Sequence, residues 1–122
     1  MRRVLLIALL AAACGKGDKG PSSRDALLDA WKAAGLETTP FAAAQSPVGK
    51  DCAQGTVAKV DVLVCTFATT DEAKAAQDAG LQWVGDTTGA AQAKGAFLIA
   101  AADRRKADPN GKAINQIFKL AK

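Results

Sequence analysis

The chain has 122 residues, which is room for one small domain and excludes a second. With 49% apolar and 23% charged residues it has ordinary globular composition, so it is not disordered throughout. Histidine and tyrosine are absent, which removes imidazole as base, metal ligand or pH switch, and phenol as acid. The formal charge of +4 overstates the basicity, because Arg2 and Arg3 sit in a segment expected to be cleaved, leaving 14 basic against 12 acidic side chains.

Met1-Arg2-Arg3 is a basic start, residues 4–10 are an apolar run, and Ala11-Ala12-Ala13 supplies small residues before Cys14. That order is a secretion signal. The apolar stretch ends at Ala13 and has about half the ~20 residues a membrane-spanning helix requires, so it is no permanent anchor. The ending resembles the lipobox of bacterial lipoproteins, with Ala11 where a leucine is usual and Leu10 one step earlier. The resemblance covers residues 1–14 and implies cleavage before Cys14, which then carries a diacylglycerol thioether and an acylated amino group. Several acyl chains anchor stably where one does not. Gly15 follows in place of the aspartate that retains enterobacterial lipoproteins in the inner membrane, which favours the outer membrane in a two-membrane cell. The alternative, ordinary signal-peptidase cleavage after Ala13, releases a soluble protein with a free Cys14. Residues 14–22 then read as lipidated cysteine and polar tether, which spans roughly 15 Å at coil dimensions. Residues 23–122 read as the folded domain.

Ser22 or Ser23 caps a first helix through Leu27, Leu28 and Trp31, with Gly35 after its end and Leu36 folding back. Thr39-Pro40 starts a short turn through Ala44, and Ser46-Pro47-Val48-Gly49 reads as loop.

Cys52 and Cys65 make an even pair once Cys14 is set aside, and in an oxidising compartment a disulfide is expected. A single straight strand over residues 57–65 would hold them about 8 Å apart at closest, beyond the ~7 Å limit between Cα atoms. A hairpin with a two-residue loop at Ala58-Lys59 pairs Val57 with Val60 and brings Cys52 opposite Cys65 at a non-hydrogen-bonded position, where a bridge fits. Ala-Lys is poor chemistry for that turn. The spacing is not Cys-x-x-Cys, so a redox role is disfavoured.

In the second hairpin strand Val60, Val62 and Val64 share one face, with Leu63, Cys65 and Phe67 on the other. Thr69 and Glu72 form a capping box for a helix ending at Gly80. Residues 81–85 extend that helix or form a short strand, and residues 86–89 turn. Residues 97–101 are continuously apolar and read as a buried strand. Asp108-Pro109 opens the last helix, with Ala113, Ile114, Ile117, Phe118 and Ala121 on one side. The sum is a small α+β domain: an antiparallel sheet of a β-hairpin plus at least one further strand, with about three helices packed mainly on one face.

Residues 102–108 hold the densest charge. Arg104, Arg105, Lys106 and Lys112 are the candidate contacts for an anion such as a lipid headgroup or cell-wall polymer. The competing reading is a solvated connection whose Asp108 caps the next helix. Asp108-Pro109-Asn110-Gly111 lacks the alternating acids of a calcium loop, and Gly85, Gly89 and Gly95 lack phosphate-loop spacing. Trp31 and Trp83 read as core or core-edge residues. No catalytic constellation, metal set or cofactor motif is visible, and near-neutral charge with export disfavours nucleic acid.

The reading is a monomeric, lipid-anchored protein of the bacterial cell envelope, facing the periplasm or cell surface, with a non-catalytic binding or structural role. Its partners are the membrane, through the lipid on Cys14, and an envelope protein or cell-wall polymer. The alternatives are an envelope enzyme using Asp103 and Asp108 beside the arginines, and a soluble secreted binding protein.

Overall fold

The computed structural model describes residues 23–121. The signal segment, Cys14, the tether and Lys122 lie outside the described residues. Helix α1, Arg24–Ala33, is capped as its sequence implies: the Ser23 hydroxyl accepts the Ala26 N–H at 3.0 Å. At its other end the Leu36 N–H reaches the Trp31 carbonyl at 3.1 Å and the Gly35 N–H reaches that of Lys32 at 3.0 Å, with Gly35 at φ +86°. This is a Schellman motif, and Leu36 packs onto the core as the motif requires.

Five strands follow in one antiparallel sheet of order β1-β2-β3-β5-β4: β1 Ala42–Ser46, β2 Gly49–Val57, β3 Val60–Thr66, β4 Gly89–Lys94 and β5 Phe97–Ala102. The hairpin register is as expected, with Val57 opposite Val60 and Cys52 opposite Cys65. A disulfide joins the two cysteines, whose Cα atoms are 4.0 Å apart. Ala58 and Lys59 both take positive φ, 52° and 69°, the conformation of a tight primed turn.

The α+β class and the central strands agree with the sequence, and the surrounding elements differ in three ways. Residues 42–46, where the sequence suggested a short turn through Ala44 and a loop from Ser46, form edge strand β1 against β2. Residues 89–94 form a second edge strand on β5. The helices divide between both faces of the sheet. Helices α1 and α4 (Lys112–Lys119) cover Val60, Val62, Val64, Phe97, Ile99 and Ala101, and the other face is covered by α2 (Thr70–Ala75) and α3 (Gln77–Val84). The reason lies in β5, whose six residues are all buried: a strand apolar on both sides must be covered on both.

The capping box forms at α2, with the Glu72 N–H on the Thr69 hydroxyl at 3.1 Å and the Ala68 N–H on the Glu72 carboxylate at 3.1 Å. Gly80 does not end this helical stretch: it lies buried within α3, and Gly85, at φ +68°, ends it. A Cβ on Gly80 would lie 2.9 Å from both the Ala91 Cβ and Leu98 Cδ1, so the glycine sets how closely α3 approaches the sheet. Gly80→Ala is therefore expected to lower stability by about 1–2 kcal/mol, overpacking outweighing the ~1 kcal/mol gain in helix propensity. Urea unfolding of the variant measures it, and a net gain in stability would show that the helix can retreat freely.

Candidate functional site

The charged connection sits where β3 begins and β5 ends. Asp61, second residue of β3, stands opposite Ala102 at the end of β5, so the chain leaving the sheet there carries Arg104 and Arg105 back over it. Arg105 Nη1 donates to Asp61 Oδ1 at 2.7 Å and to the Lys59 carbonyl at 3.2 Å. Arg104 donates from Nη2 to the Trp83 carbonyl at 2.6 Å and from Nη1 to Asp61 Oδ2 at 3.5 Å. Its guanidinium also lies over the Trp83 ring, 4.3 Å from the centroid. Asp61 is thus the anion these arginines hold, and its side chain is only 13% exposed.

The acids of the connection face inward. Asp103 accepts the Ala107 N–H on Oδ1 and the Asp108 N–H on Oδ2, both at 2.8 Å. Asp108 accepts the Ala113 N–H on Oδ1 at 3.0 Å and the Ile114 N–H on Oδ2 at 2.9 Å. Each carboxylate is buried and holds two backbone amides, one pair shaping the loop and the other satisfying the first turn of α4. Asp108 therefore caps the helix as expected, although α4 starts at Lys112, after Gly111 in the left-handed region. Asp108→Ala would leave two amides unanswered at a partly buried helix start and is expected to cost about 2 kcal/mol. Asp108→Asn should lose much of that too, because its amide group sets a donor against a donor. Thermal unfolding of both variants checks this, and unchanged midpoints would mean that water replaces the carboxylate.

A hollow of about 390 Å³ opens beside this connection, lined by Thr87, Thr88, Asp86, Asp103, Arg104 and Lys106. Of the four basic residues singled out in the sequence, Arg104 and Arg105 converge on Asp61, Lys106 shares the hollow with Arg104, and exposed Lys112 opens α4. Asp61 is the member that sequence reasoning missed; its signal was a lone acid near the start of an otherwise apolar strand. Trp31 is wholly buried and Trp83 is half-buried beneath Arg104, both at core or core-edge positions.

The opposite end of the sheet carries a larger groove of about 560 Å³, lined by Gly49, Lys50, Asp51, Thr66, Phe67, Ala68, Glu72 and Ala75. The Phe67 ring lies over Gly49, where an added Cβ would stand 2.9 Å from it. From α1, Arg24 Nη1 reaches Asp51 Oδ1 and the Thr66 hydroxyl, both at 3.4 Å. Among the described residues no group of three or more His, Cys, Asp or Glu is arranged to hold a metal ion, and no helix is long and apolar enough to cross a membrane. Compared with protein-family models, with curated proteins and with solved structures, the chain matches none.

Proposed function

We propose that this chain is a lipoprotein of the bacterial cell envelope, anchored through Cys14, whose disulfide-stapled domain acts by binding or structural association. The observation that carries the reading is the pairing of Cys52 with Cys65. Such a bond persists in the oxidising space outside the cytoplasm, and it accounts for two of the three cysteines, leaving Cys14 for the lipid. The basic start, apolar run and small residues before Cys14 supply the export route. The non-catalytic part of the reading is supported by the use already made of the charged side chains: Asp103 and Asp108 hold backbone amides, and both arginines hold Asp61.

One feature favours the enzymatic alternative, namely that Asp103 and Arg104 both line the 390 Å³ hollow. Against it, both Asp103 oxygens already accept amide protons. The test of the anchored reading is the intact mass of protein purified from membranes, with and without reduction and thiol alkylation. The expected mass is that of residues 14–122 plus lipid, gaining two alkyl groups only after reduction. An unlipidated mass with an alkylatable Cys14 would overturn the anchor and leave a soluble secreted protein.

A further inference from the structure

The arginine cluster and the 560 Å³ groove lie at opposite ends of β3: Asp61 holds the arginines, and Thr66 lines the groove. Five residue steps separate them, about 17 Å of strand. The described chain begins at Ser23, the N-cap of α1, and the next residue, Arg24, already touches Asp51 and Thr66 of the groove. The chain arriving from Cys14 therefore joins the domain at the groove end. Eight residues lie between Cys14 and Ser23, so the anchor is held within a fully extended reach of roughly 30 Å from the N-cap of α1, and the arginine end lies farther from that attachment point than the groove end does.

We propose that the groove end of the sheet, and not the arginine end, docks on the phospholipid surface that holds the anchor. The inference rests on the anchored reading above. Exposed Lys50 meets lipid phosphates, while Phe67, Ala68 and Gly49 offer an apolar floor to the glycerol region. The groove's charges offset one another in number, with Arg24 paired to Asp51, and Lys50 and Glu72 both lining it. Docking is then governed by the tether, which keeps this end near the surface, more than by the anionic lipid content that a bare basic patch would need.

Native lysines report on this directly. The lipidated protein is placed in phosphatidylethanolamine–phosphatidylglycerol vesicles, and a Cys14→Ser protein without lipid is kept in solution. Both are labelled with a membrane-impermeant amine reagent, and labelling is read by peptide mass spectrometry. Lys50 should label several-fold less on vesicles, while Lys59 and Lys106, at the arginine end, label equally in both. Protection of Lys59 and Lys106 instead, or of no lysine in protein that sediments with the vesicles, would overturn the docking and leave the anchor standing. Protein of unlipidated mass that stays in the supernatant would overturn the anchor and the docking with it.

Discussion

Trp31→Ala is expected to destabilise the domain by about 4 kcal/mol, the largest effect of any single substitution considered. The indole is fully buried among Leu27, Val57 and Ile117, its ring centroid 6.2 Å from that of Phe41. Its Nε1–H donates to the Ile117 carbonyl at 2.9 Å, a buried bond that ties α1 to the last turn of α4. Carbonyls in a helix's last turn lack intrahelical partners, so Trp31 both fills the space between the helices and answers one of them. Trp31→Phe separates the two roles: it keeps most of the packing, leaves the carbonyl unanswered, and should cost about 1–2 kcal/mol. For a domain whose whole stability is of order 5–15 kcal/mol, the alanine variant approaches the unfolding threshold. Urea unfolding measures both, and a loss below 1 kcal/mol for Trp31→Ala would show that α1 and α4 are not held through this residue.

The elements legible in the sequence are those whose signal is local. Ser23 and Gly35 bracket α1, Thr69 and Glu72 open α2, and the two cysteines number the hairpin, because capping and disulfide geometry act over a few residues. The edge strands were not legible for the same reason. Ala-Ala-Ala-Gln-Ser and Gly-Ala-Ala-Gln-Ala-Lys have little strand preference, and they pair because β2 and β5 would otherwise present open edges. The placement of helices on both faces was available from the six apolar residues of β5, since no solvent-facing side remains on such a strand. At Gly80 the usual meaning of a glycine misled. Ala73, Ala76, Gly80 and Val84 are all buried at helical spacing, so the periodicity runs through the glycine, and its small size serves packing.

The charged connection was legible as a cluster but not as a circuit. Sequence spacing places Arg104 and Arg105 side by side, yet their partner Asp61 is more than forty residues away and meets them only through the pairing of β3 with β5. Asp103 and Asp108, by contrast, are buried acceptors of backbone amides within their own connection and the first turn of α4. Charge counted along the sequence could not show that Arg104 and Arg105 are already neutralised in part by an acid of the sheet.

Removing the disulfide, by the double substitution Cys52→Ala with Cys65→Ala, is expected to cost about 3 kcal/mol, from the entropy regained by an unfolded chain no longer closed at a sequence separation of 13. A second consequence concerns register. Strand β3 buries Val60, Val62 and Val64 on one face and Leu63 and Cys65 on the other, so a slip by one residue exchanges one apolar set for another, and hydrophobicity alone penalises it weakly. The turn does not fix the register either. Alanine and lysine hold positive φ at Ala58 and Lys59, which costs roughly 1–2 kcal/mol per residue relative to ordinary conformations. The covalent link between Cys52 and Cys65, which joins residues paired only in this register, is therefore expected to select the strained turn. The double variant should therefore unfold at lower urea and show extra or broadened amide signals from β2 and β3 before unfolding. Because Cys65 is fully buried and Cys52 nearly so, reductant should act on the native protein only as fast as it opens. A double variant that loses less than 1 kcal/mol and keeps single sharp signals would mean that β5, through its pairing with β3, sets the register without the disulfide.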